Sequence, residues 1–432
     1  MSKERKISRR EFLQVAGVAV GGLLLPPWLF SENKGEKTKK ELGEVGRWVA
    51  IGPPVKVLPG EELDGIRAAN SSLNGELIIA GTWHHGLWYK AKGVWQKFPD
   101  KNPSLGIFRQ IITIEQESEI GLEGRGNICA LIVRDNGLEI FRKEAGGEFD
   151  LEPVNLPEGF PLEFSQTGYL LDNGEILLGG LGGVVKVGNW HKKEVKIEVL
   201  LSPKDSTTGK MMMTRTIASS KKEPNVIFAG GWWEYSGWEK DSNGRILPGA
   251  GVWKSEKGGE FGSWRNVLEG VNVNCLFVHP ENPKIVIAGT EGAGNQSNRK
   301  PMPEYPSLFI SLDKGENWTP LTPRPWVYDL VTPQQAFFFD KEKQMLYISF
   351  WGGPTQGVFL PSNLSLDSLK SLKWVFLGDR DSKRDYHSGH LMGIKRKGEL
   401  KLVTGSFHYW IEPKPPFTPL YCWLAKNFPH LD

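Results

Sequence analysis

Residues 278–290, VHPENPKIVIAGT, end in a short apolar strand that runs directly into small residues. The same pattern recurs along the chain at intervals of roughly 50 residues, a length that accommodates four short strands and their turns. It occurs as LIIAGT at 77–82, CALIV at 129–133, ILLGGL at 176–181, VIFAGG at 226–231, IVIAGT at 285–290, LYISF at 346–350 and KLVTGS at 401–406. β-Rich segments flank each copy, so the pattern predicts a repeated unit of four antiparallel strands.

The spacing of these strands predicts a closed all-β fold. After residue 30 no stretch shows a 3.6-residue periodicity over three turns, so helices contribute little. Closure is favoured because it removes exposed sheet edges. The last copy ends after PLYCWLA at 419–425, while GRWVAIG at 46–52 is unassigned at the start. We therefore predict a seven-bladed β-propeller of four-stranded antiparallel blades, whose ring is closed by the N-terminal strand completing the last blade.

The composition is that of a globular protein. The chain has 432 residues, 24% charged and 39% hydrophobic, with only three cysteines, which excludes a disordered chain and a disulfide framework. Its net charge is +3, and residues 1–30, with five basic and two acidic side chains, account for all of it. The remainder is close to neutral, so neither a nucleic-acid partner nor a polybasic membrane contact is predicted for it.

The N-terminus has the layout of a targeting peptide: a basic segment, an apolar Gly-containing segment and then a charged stretch. Within it, SRREFLQ at residues 8–14 resembles the twin-arginine export motif. The resemblance implies export by the twin-arginine machinery to the periplasm or the extracellular space, with membrane anchoring if the signal stays uncleaved. We divide the chain into a signal at 1–30, a linker at 31–45 and one monomeric propeller domain at 46–432 without a further transmembrane span.

The segment SLDKGENW at 311–318 resembles the Asp-box, or bacterial neuraminidase repeat, whose pattern is Ser-x-Asp-x-Gly-x-x-Trp. A degenerate copy, SEKGGEFGSW, lies one unit earlier at 255–264. The resemblance implies a member of the sialidase-like β-propeller superfamily. In such a box the Asp accepts hydrogen bonds from the turn backbone and the Trp packs beneath the hairpin. Asp313 is therefore predicted to be structural rather than catalytic.

Tryptophan is over-represented, with 17 residues. Five fall in predicted outermost strands, where a large ring packs one blade against the next: Trp48, Trp95, Trp264, Trp318 and Trp374. Another set falls in or beside the loops between second and third strands, which open on one face around the central channel. We predict that this set binds a sugar or another ligand by stacking: Trp83, Trp232, Trp233, Trp351, Tyr409 and Trp410. The alternative is that the loops fold over these rings as small cores.

Polar side chains occupy the predicted channel-facing starts of the first strands: Arg67, Arg109, Gln166, Arg215, Asn274, Asp329 and either His387 or His390. The three arginines resemble the cluster by which sialidases hold a carboxylate, because a guanidinium group matches a carboxylate in a bidentate manner. The resemblance implies that these arginines bind a ligand carboxylate. The chain lacks a Phe-Arg-Ile-Pro signature and an alignable Tyr–Glu pair, which argues against sialidase activity itself.

Two further kinds of chemistry are candidates on this face. Glycoside hydrolysis needs two carboxylates about 5 to 10 Å apart, and the candidates are Asp329, Glu291 and Asp385. Histidines of the first and last blades are weak candidates for a Zn or Cu site: His84, His85, His387, His390 and His408. The alternative is that they are hydrogen-bonding or stacking histidines of a crowded groove. The sequence identifies no particular cofactor.

These observations leave three functions open. The first is an exported propeller that recognises, and in a glycoside hydrolase-like form cleaves, a carbohydrate or another extracytoplasmic ligand. The second is a non-catalytic propeller that binds a protein or assists assembly with the same face. The third is a metal-binding periplasmic protein.

Overall fold

The structure, a computed structural model, describes residues 46–52, 66–72, 75–82, 86–114, 128–144, 147–163, 165–206, 208–234, 249–290, 307–321, 336–350, 355–377, 388–396, 399–406 and 420–425. These ranges contain seven four-stranded sheets, in which neighbouring strands are antiparallel, and all belong to one compact unit, Gly46–Asn427. The fold is an all-β propeller.

Sheets 1 to 3 follow one another in the chain, after a first strand, β1 (Gly46–Gly52), that belongs to the last sheet. Sheet 1 contains β2 (Ile66–Ser71), β3 (Leu77–Thr82), β4 (Leu87–Ala91) and β5 (Val94–Phe98). Sheet 2 contains β6 (Phe108–Thr113), β7 (Ile128–Arg134), β8 (Gly137–Lys143) and β9 (Phe149–Pro153). Sheet 3 contains β10 (Ser165–Leu170), β11 (Ile176–Gly180), β12 (Gly183–Gly188) and β13 (Lys196–Leu201).

Sheets 4 to 6 repeat this order. Sheet 4 contains β14 (Met212–Ser220), β15 (Glu223–Trp233), β16 (Gly251–Ser255) and β17 (Arg265–Leu268). Sheet 5 contains β18 (Val273–Val278), β19 (Val286–Thr290), β20 (Leu308–Ser311) and β21 (Thr319–Pro320). Sheet 6 contains β22 (Phe337–Asp340), β23 (Met345–Ile348), β24 (Thr355–Phe359) and β25 (Trp374–Leu377), with a short helix, α1 (Leu366–Leu369), before its last strand.

Sheet 7 joins the two ends of the propeller. It contains β26 (Ser388–Arg396), β27 (Glu399–Ser406) and β28 (Leu420–Ala425), with β1 as its outermost strand. β1 pairs antiparallel with β28 along its length, from Gly46 opposite Ala425 to Gly52 opposite Leu420.

The prediction of seven four-stranded blades requires a correction. Among the described residues, six sheets have four strands of at least four residues each, whereas the outermost strand of sheet 5, β21, has only two. Pro320 is the last residue of β21, and proline has no backbone N–H to contribute to a ladder. The propeller therefore has six full blades and one whose outer edge is reduced to two paired residues.

In sheets 1, 2, 3, 5 and 6 the second strand is the most buried strand of its sheet. It is formed by the repeated apolar segments, as in β3, β11 and β19, where nearly every residue is buried. Apolar residues on both faces are needed because each sheet packs between two neighbours. Ile79 of sheet 1, for example, belongs to one core cluster with Ile111 and Ile132 of sheet 2.

The innermost strands contact one another in the order β2, β6, β10, β14, β18, β22 and β26, and β26 contacts β2. They belong to different sheets, so side chains supply hydrogen bonds that a shared ladder would otherwise provide. Asn70 Nδ2 donates to the backbone carbonyl of Ile111 at 3.0 Å. The backbone N–H of Leu276 donates to Thr216 Oγ1, also at 3.0 Å. These bonds hold the wall of the central channel together.

Candidate functional site

Five innermost strands carry a β-bulge near their start, at the end where the second strand of the same sheet finishes. The residue that the register skips is polar in every case: Arg67, Arg109, Gln166, Arg215 and Asn274. In β26 the register shifts between Ser388 and Leu391, an interval that contains His390. We call these six residues the bulge ring.

The spacing of the core residues explains the bulges. Ile66 and Ala69 lie three positions apart, yet both pack in the cluster shared by sheets 7 and 1. In a regular strand, residues three apart point to opposite faces. Val273 and Leu276 show the same relation in the cluster shared by sheets 4 and 5. One extra residue lets both apolar side chains face the same core, and the bulge re-aims the polar residue between them.

Arg215 and Gln166 connect sheets 4 and 3. Arg215 Nη1 donates to Gln166 Oε1 at 3.0 Å, and the guanidinium carbon lies 4.8 Å from the centroid of the Trp232 ring. Trp232 is only 7% exposed. Its ring therefore supports the guanidinium through a cation–π contact and is not open to solvent. Two neighbours thus orient Arg215.

Arg109 is bound within its own sheet. Its Nε donates to Oδ1 of Asp135, a residue of the turn between the second and third strands of sheet 2. The two side chains are 14% and 13% exposed. The Asp135 carbonyl accepts a hydrogen bond of 2.8 Å from the backbone N–H of Ser165, which begins sheet 3. The positive charge of Arg109 is therefore balanced inside the protein, and its partner turn fixes the start of the next sheet.

His390 connects sheets 7 and 1. It is 4% exposed, and burial together with the nearby charge of Arg67 lowers its pKa to about 3, although a hydrogen bond to the Arg67 backbone acts in the opposite direction. The imidazole is therefore uncharged at neutral pH. Arg67 is partly exposed. Where sheets 7 and 1 meet, the charged member of the ring is therefore Arg67 and not His390.

Asn274 is the most deeply buried member of the bulge ring, with no exposed surface. Neither its Oδ1 nor its Nδ2 forms a hydrogen bond with any residue that the structure describes. Taken over its six positions, the ring contains three arginines and no carboxylate. Arg109 has a described carboxylate partner outside the ring, Asp135.

The bulge ring borders a cavity of about 480 Å³ inside the innermost strands. Five of the six ring residues are followed at once by a residue that lines this cavity. Sheets 1 to 4 contribute mainly polar lining residues, namely Asn70, Ser71, Gln110, Thr113, Thr167 and Thr216. Sheets 4 to 7 contribute Ile217, Cys275, Leu276, Phe277, Phe337, Phe338, Leu391, Met392 and Gly393. The channel thus has one polar and one apolar side.

Comparison with solved structures gives the same architecture. An ancestral GH74 enzyme matches with a TM-score of 0.57 and 13% identity over 85% of this chain and 48% of the other, so this chain spans about half of that protein. Sqt1 of Chaetomium thermophilum matches with a TM-score of 0.52 and 12% identity over 84% of this chain and 82% of its own. At these identities the likeness shows the propeller fold alone.

The Pan2 WD40 domain of Neurospora crassa is a further structural match. Its TM-score is 0.51 at 12% identity, over 89% of this chain and 98% of the other. No family model matches the chain, and no curated protein matches it either. The comparisons therefore show the propeller fold and no family, and the Asp-box resemblance stays a prediction.

Several predicted site residues lie outside the described residues. They comprise the carboxylates Asp329, Glu291 and Asp385, the aromatic residues Trp83, Trp351, Tyr409 and Trp410, and the histidines His84, His85, His387 and His408. The signal and linker at 1–45 are outside as well. Their roles stay predictions. Of the candidates that are described, Arg67, Arg109, Arg215 and His390 occur in the bulge ring.

Two residues of the predicted stacking set, Trp232 and Trp233, are described and have contacts inside the protein. Trp232 supports Arg215, and Trp233 packs against the core cluster shared by sheets 3 and 4. Trp95 and Trp374 occupy outermost strands, as expected. Trp318 directly precedes the outermost strand of sheet 5, and its Nε1 donates to Gly315 O at 3.0 Å. Trp232 and Trp233 therefore contribute packing at the base of the loop face.

The hairpin at 311–318 has the hydrogen bonds expected of a structural carboxylate. Asp313 Oδ1 accepts from the backbone N–H of Asn317 at 2.8 Å and from Ser311 Oγ at 2.8 Å. Burial raises the pKa of Asp313, but the bonds from Asn317 and Ser311 outweigh it and hold the pKa below its usual value. Lys314 and Gly315 have positive φ angles of 62° and 82°. The carboxylate thus organises a tight turn.

Sequence reasoning missed two buried polar centres. Arg134, 2% exposed, bonds both carboxylate oxygens of Asp100 at 3.0 Å and Glu139 Oε2 at 3.2 Å. His279, with no exposed surface, accepts a hydrogen bond from the backbone N–H of Glu281 at Nδ1. Its Nε2 lies 3.1 Å from the carbonyl oxygen of Leu360, which directly follows β24 of sheet 6. The only sequence signal for either was a charged or polar residue at the end of an apolar strand.

Among the described residues, no group of three or more His, Cys, Asp or Glu side chains is arranged to hold a metal ion. Within the same ranges no helix has the length and apolar character to cross a membrane.

Proposed function

We propose that this protein is a ligand-binding propeller that holds an anionic ligand, with an acidic carbohydrate as the favoured class, at the bulge ring. The observation that carries the proposal is the ring itself. Equivalent bulges place Arg67, Arg109 and Arg215 at the start of three innermost strands. Because the core spacing determines the bulges, the arginines occupy positions that do not depend on loop conformation.

The charges of the ring favour an anion over a cation or a neutral ligand. Arg109 is balanced by Asp135, and His390 is uncharged because burial lowers its pKa. Among its six residues the ring has three guanidinium groups and no carboxylate. A carboxylate is the matching group, because an oriented guanidinium can donate two parallel hydrogen bonds to it. The contacts to Gln166 and Trp232 reduce the cost of orienting Arg215.

A carbohydrate is the favoured carrier of that carboxylate. In the sequence, the predicted stacking residues Trp83, Trp351 and Trp410 follow the second strands of sheets 1, 6 and 7, and aromatic rings suit the apolar faces of sugars. Cleavage of a glycosidic bond, with two of Asp329, Glu291 and Asp385 as acid and base, is an additional proposal. Export by the twin-arginine pathway is proposed from the N-terminal sequence alone. The likeness to a GH74 enzyme is one of fold and adds nothing to the ligand assignment.

The test compares a ligand with and without its negative charge. Oligogalacturonate and its fully methyl-esterified form share one sugar backbone, so calorimetric titration of the full chain with both isolates the carboxylate. We expect the acidic form to bind at least tenfold more tightly than the ester. Arg215→Gln should weaken binding of the acidic form about tenfold, because it removes one charge-assisted contact of about 1.5 kcal/mol. Hydrolysis would appear separately as reducing ends released from the same oligomer.

The matched control is Arg142→Gln. Arg142 belongs to sheet 2, lies outside the bulge ring and forms an ion pair with Glu152 at 2.8 Å. This variant is expected to bind like the unmodified chain. Equal affinity for the acid and its ester, or unchanged affinity in an Arg67→Gln, Arg215→Gln double variant, would show that the ring does not bind anions. Binding of a protein but of no acidic glycan would instead support the non-catalytic protein-binding alternative.

A further inference from the structure

The cavity inside the innermost strands begins next to the bulge ring. Arg215 is followed along β14 by Thr216 and Ile217, and both of these residues line the cavity. His390 is followed along β26 by Leu391, another lining residue. Because successive residues of a strand lie about 3.3 Å apart, a ligand that is bound at the ring adjoins the cavity.

The apolar side of the cavity extends over sheets 4 to 7 and includes aromatic rings. Phe277, Phe337 and Phe338 line the cavity from sheets 5 and 6, and each is only partly buried. The ring centroids of Phe277 and Phe337 lie 6.3 Å apart, so the aromatic surface continues from one sheet to the next. Phe338 packs against Gly393 of sheet 7, where a Cβ atom would overlap its ring. This surface favours a ligand that covers it, because burial contributes about 25 cal/mol per Å² of apolar area.

Arg215 lies where the polar side of the cavity meets the apolar side. Of the two lining residues that follow it, Thr216 is polar and Ile217 is apolar. The guanidinium group is held toward sheet 3, because its Nη1 donates to Gln166 Oε1 at 3.0 Å. A ligand whose carboxylate binds this guanidinium group therefore has the apolar lining of sheets 5 to 7 beside it.

The charges of the cavity lining are compatible with an anion at its edge. None of the described lining residues is an Asp or Glu, so no carboxylate of the lining repels a ligand carboxylate. Burial raises the pKa of the Cys275 thiol to about 12, so the thiol stays uncharged at neutral pH. The described lining contains no Lys, Arg or His either. The positive charges that attract a carboxylate therefore lie at the ring, and the apolar surface lies inside.

We propose that the ligand of the bulge ring is amphipathic: its carboxylate binds at the ring beside Arg215, and an apolar group of the same molecule enters the cavity and contacts Phe277, Phe337 and Phe338. This inference rests on the proposed function, which supplies the carboxylate, and adds the class of group attached to it. In an acidic carbohydrate that group is an aromatic or alkyl substituent on the sugar. The cavity of about 480 Å³ has room for such a substituent, since small-molecule sites typically occupy about 300–1,000 Å³.

Three sugar derivatives separate the two groups of the ligand. Phenyl galacturonide has both groups, methyl galacturonide lacks the aromatic ring, and phenyl galactoside lacks the carboxylate. In calorimetric titrations of the full chain, we expect phenyl galacturonide to bind at least tenfold more tightly than methyl galacturonide, the ratio given by about 1.5 kcal/mol for burial of an aromatic ring. Phenyl galacturonide should also bind at least tenfold more tightly than phenyl galactoside, as the proposed function requires.

Phe338→Leu tests where the phenyl group binds. It is expected to weaken binding of phenyl galacturonide about threefold, the ratio given by one aromatic contact of about 0.7 kcal/mol, and to leave methyl galacturonide unchanged. The matched control is Phe309→Leu, because Phe309 is a partly buried phenylalanine of sheet 5 that does not line the cavity. The control variant should bind both galacturonides like the unmodified chain.

A second readout places the phenyl group without relying on that variant. Met392 lines the cavity, whereas Met345 is buried in sheet 6 and does not line it. In the full chain labelled with ¹³C-methyl methionine, and assigned with Met392→Leu, the ring current of phenyl galacturonide should move the Met392 signal and leave the Met345 signal unchanged. Methyl galacturonide should move the Met392 signal much less.

The outcomes distinguish a failure of this inference from a failure of the proposed function. Equal affinity for phenyl galacturonide and phenyl galactoside would overturn the anion site and this inference with it. Equal affinity for the two galacturonides, with methyl galacturonide still binding more tightly than phenyl galactoside, would overturn this inference alone. A preference for the phenyl group that leaves the Met392 signal unmoved and survives Phe338→Leu would also overturn it, because the ring would then lie outside the channel.

Discussion

Acidification should destabilise this propeller through His390. The imidazole is 4% exposed, and burial beside Arg67 lowers its pKa to about 3, whereas an unfolded chain has a histidine pKa of about 6.5. Between these values the unfolded state binds a proton that the folded state does not. The free energy of unfolding therefore falls as the pH drops below about 6.5, and the loss is complete only near pH 3.

The magnitude follows from the two pKa values. Because His390 is protonated in the unfolded state, the free energy of unfolding falls by about 2 kcal/mol between pH 7 and pH 5. We would measure urea unfolding of the full chain at pH 7, 6 and 5, together with the variant His390→Gln, which cannot titrate. All other groups contribute equally to both proteins, so they cancel in the difference. The stability of the unmodified chain relative to the variant should fall by about 2 kcal/mol over this range.

A direct observation supplements the unfolding data. The Cε1 proton of His390, assigned by its absence in the variant, should keep one chemical shift from pH 7 to pH 5. A difference in unfolding free energy that does not change with pH, or a His390 signal that titrates near pH 6.5, would refute the reasoning. It would mean that water or an anion reaches the imidazole in the folded protein.

Three further predictions concern packing and buried charge, each measured by urea or thermal unfolding. Arg134→Met leaves the fully buried Glu139 without its ion pair and should cost about 3–5 kcal/mol, whereas adding Glu139→Gln should restore part of it. Gly393→Ala should lower the free energy of unfolding by about 1–3 kcal/mol, because its methyl group overlaps the Phe338 ring. Adding Phe338→Leu to the same chain should reduce that loss. If the losses caused by the two substitutions simply add, the contact is contradicted. Asp313→Ala should cost about 1–2 kcal/mol through lost turn hydrogen bonds while leaving ligand binding unchanged, and a loss of binding would contradict its structural role.

Part of the candidate site can be predicted from the sequence. The sequence predicts polar residues at the starts of the first strands, and Arg67, Arg109 and Arg215 occupy equivalent bulges there. Two features of the sequence indicate these bulges. One is a polar residue among the apolar residues that begin the strand, and the other is a pair of apolar residues three positions apart, such as Ile66 and Ala69. The burial of Trp232 was not accessible, because an aromatic residue beside a loop has the same sequence signature whether it faces solvent or supports an arginine.

What the sequence by itself determined is local. Apolar runs that end in small residues marked the second strands, since burial on both faces demands such runs, and Ser311 to Trp318 specified a turn whose hydrogen bonds join residues a few positions apart. What only the tertiary structure decided is which distant residues meet. Arg215 contacts Gln166 across 49 positions of sequence, and His390 meets Arg67 from the other end of the chain. Such contacts depend on how neighbouring sheets pack, and strand periodicity contains no information about the distance or orientation between two sheets.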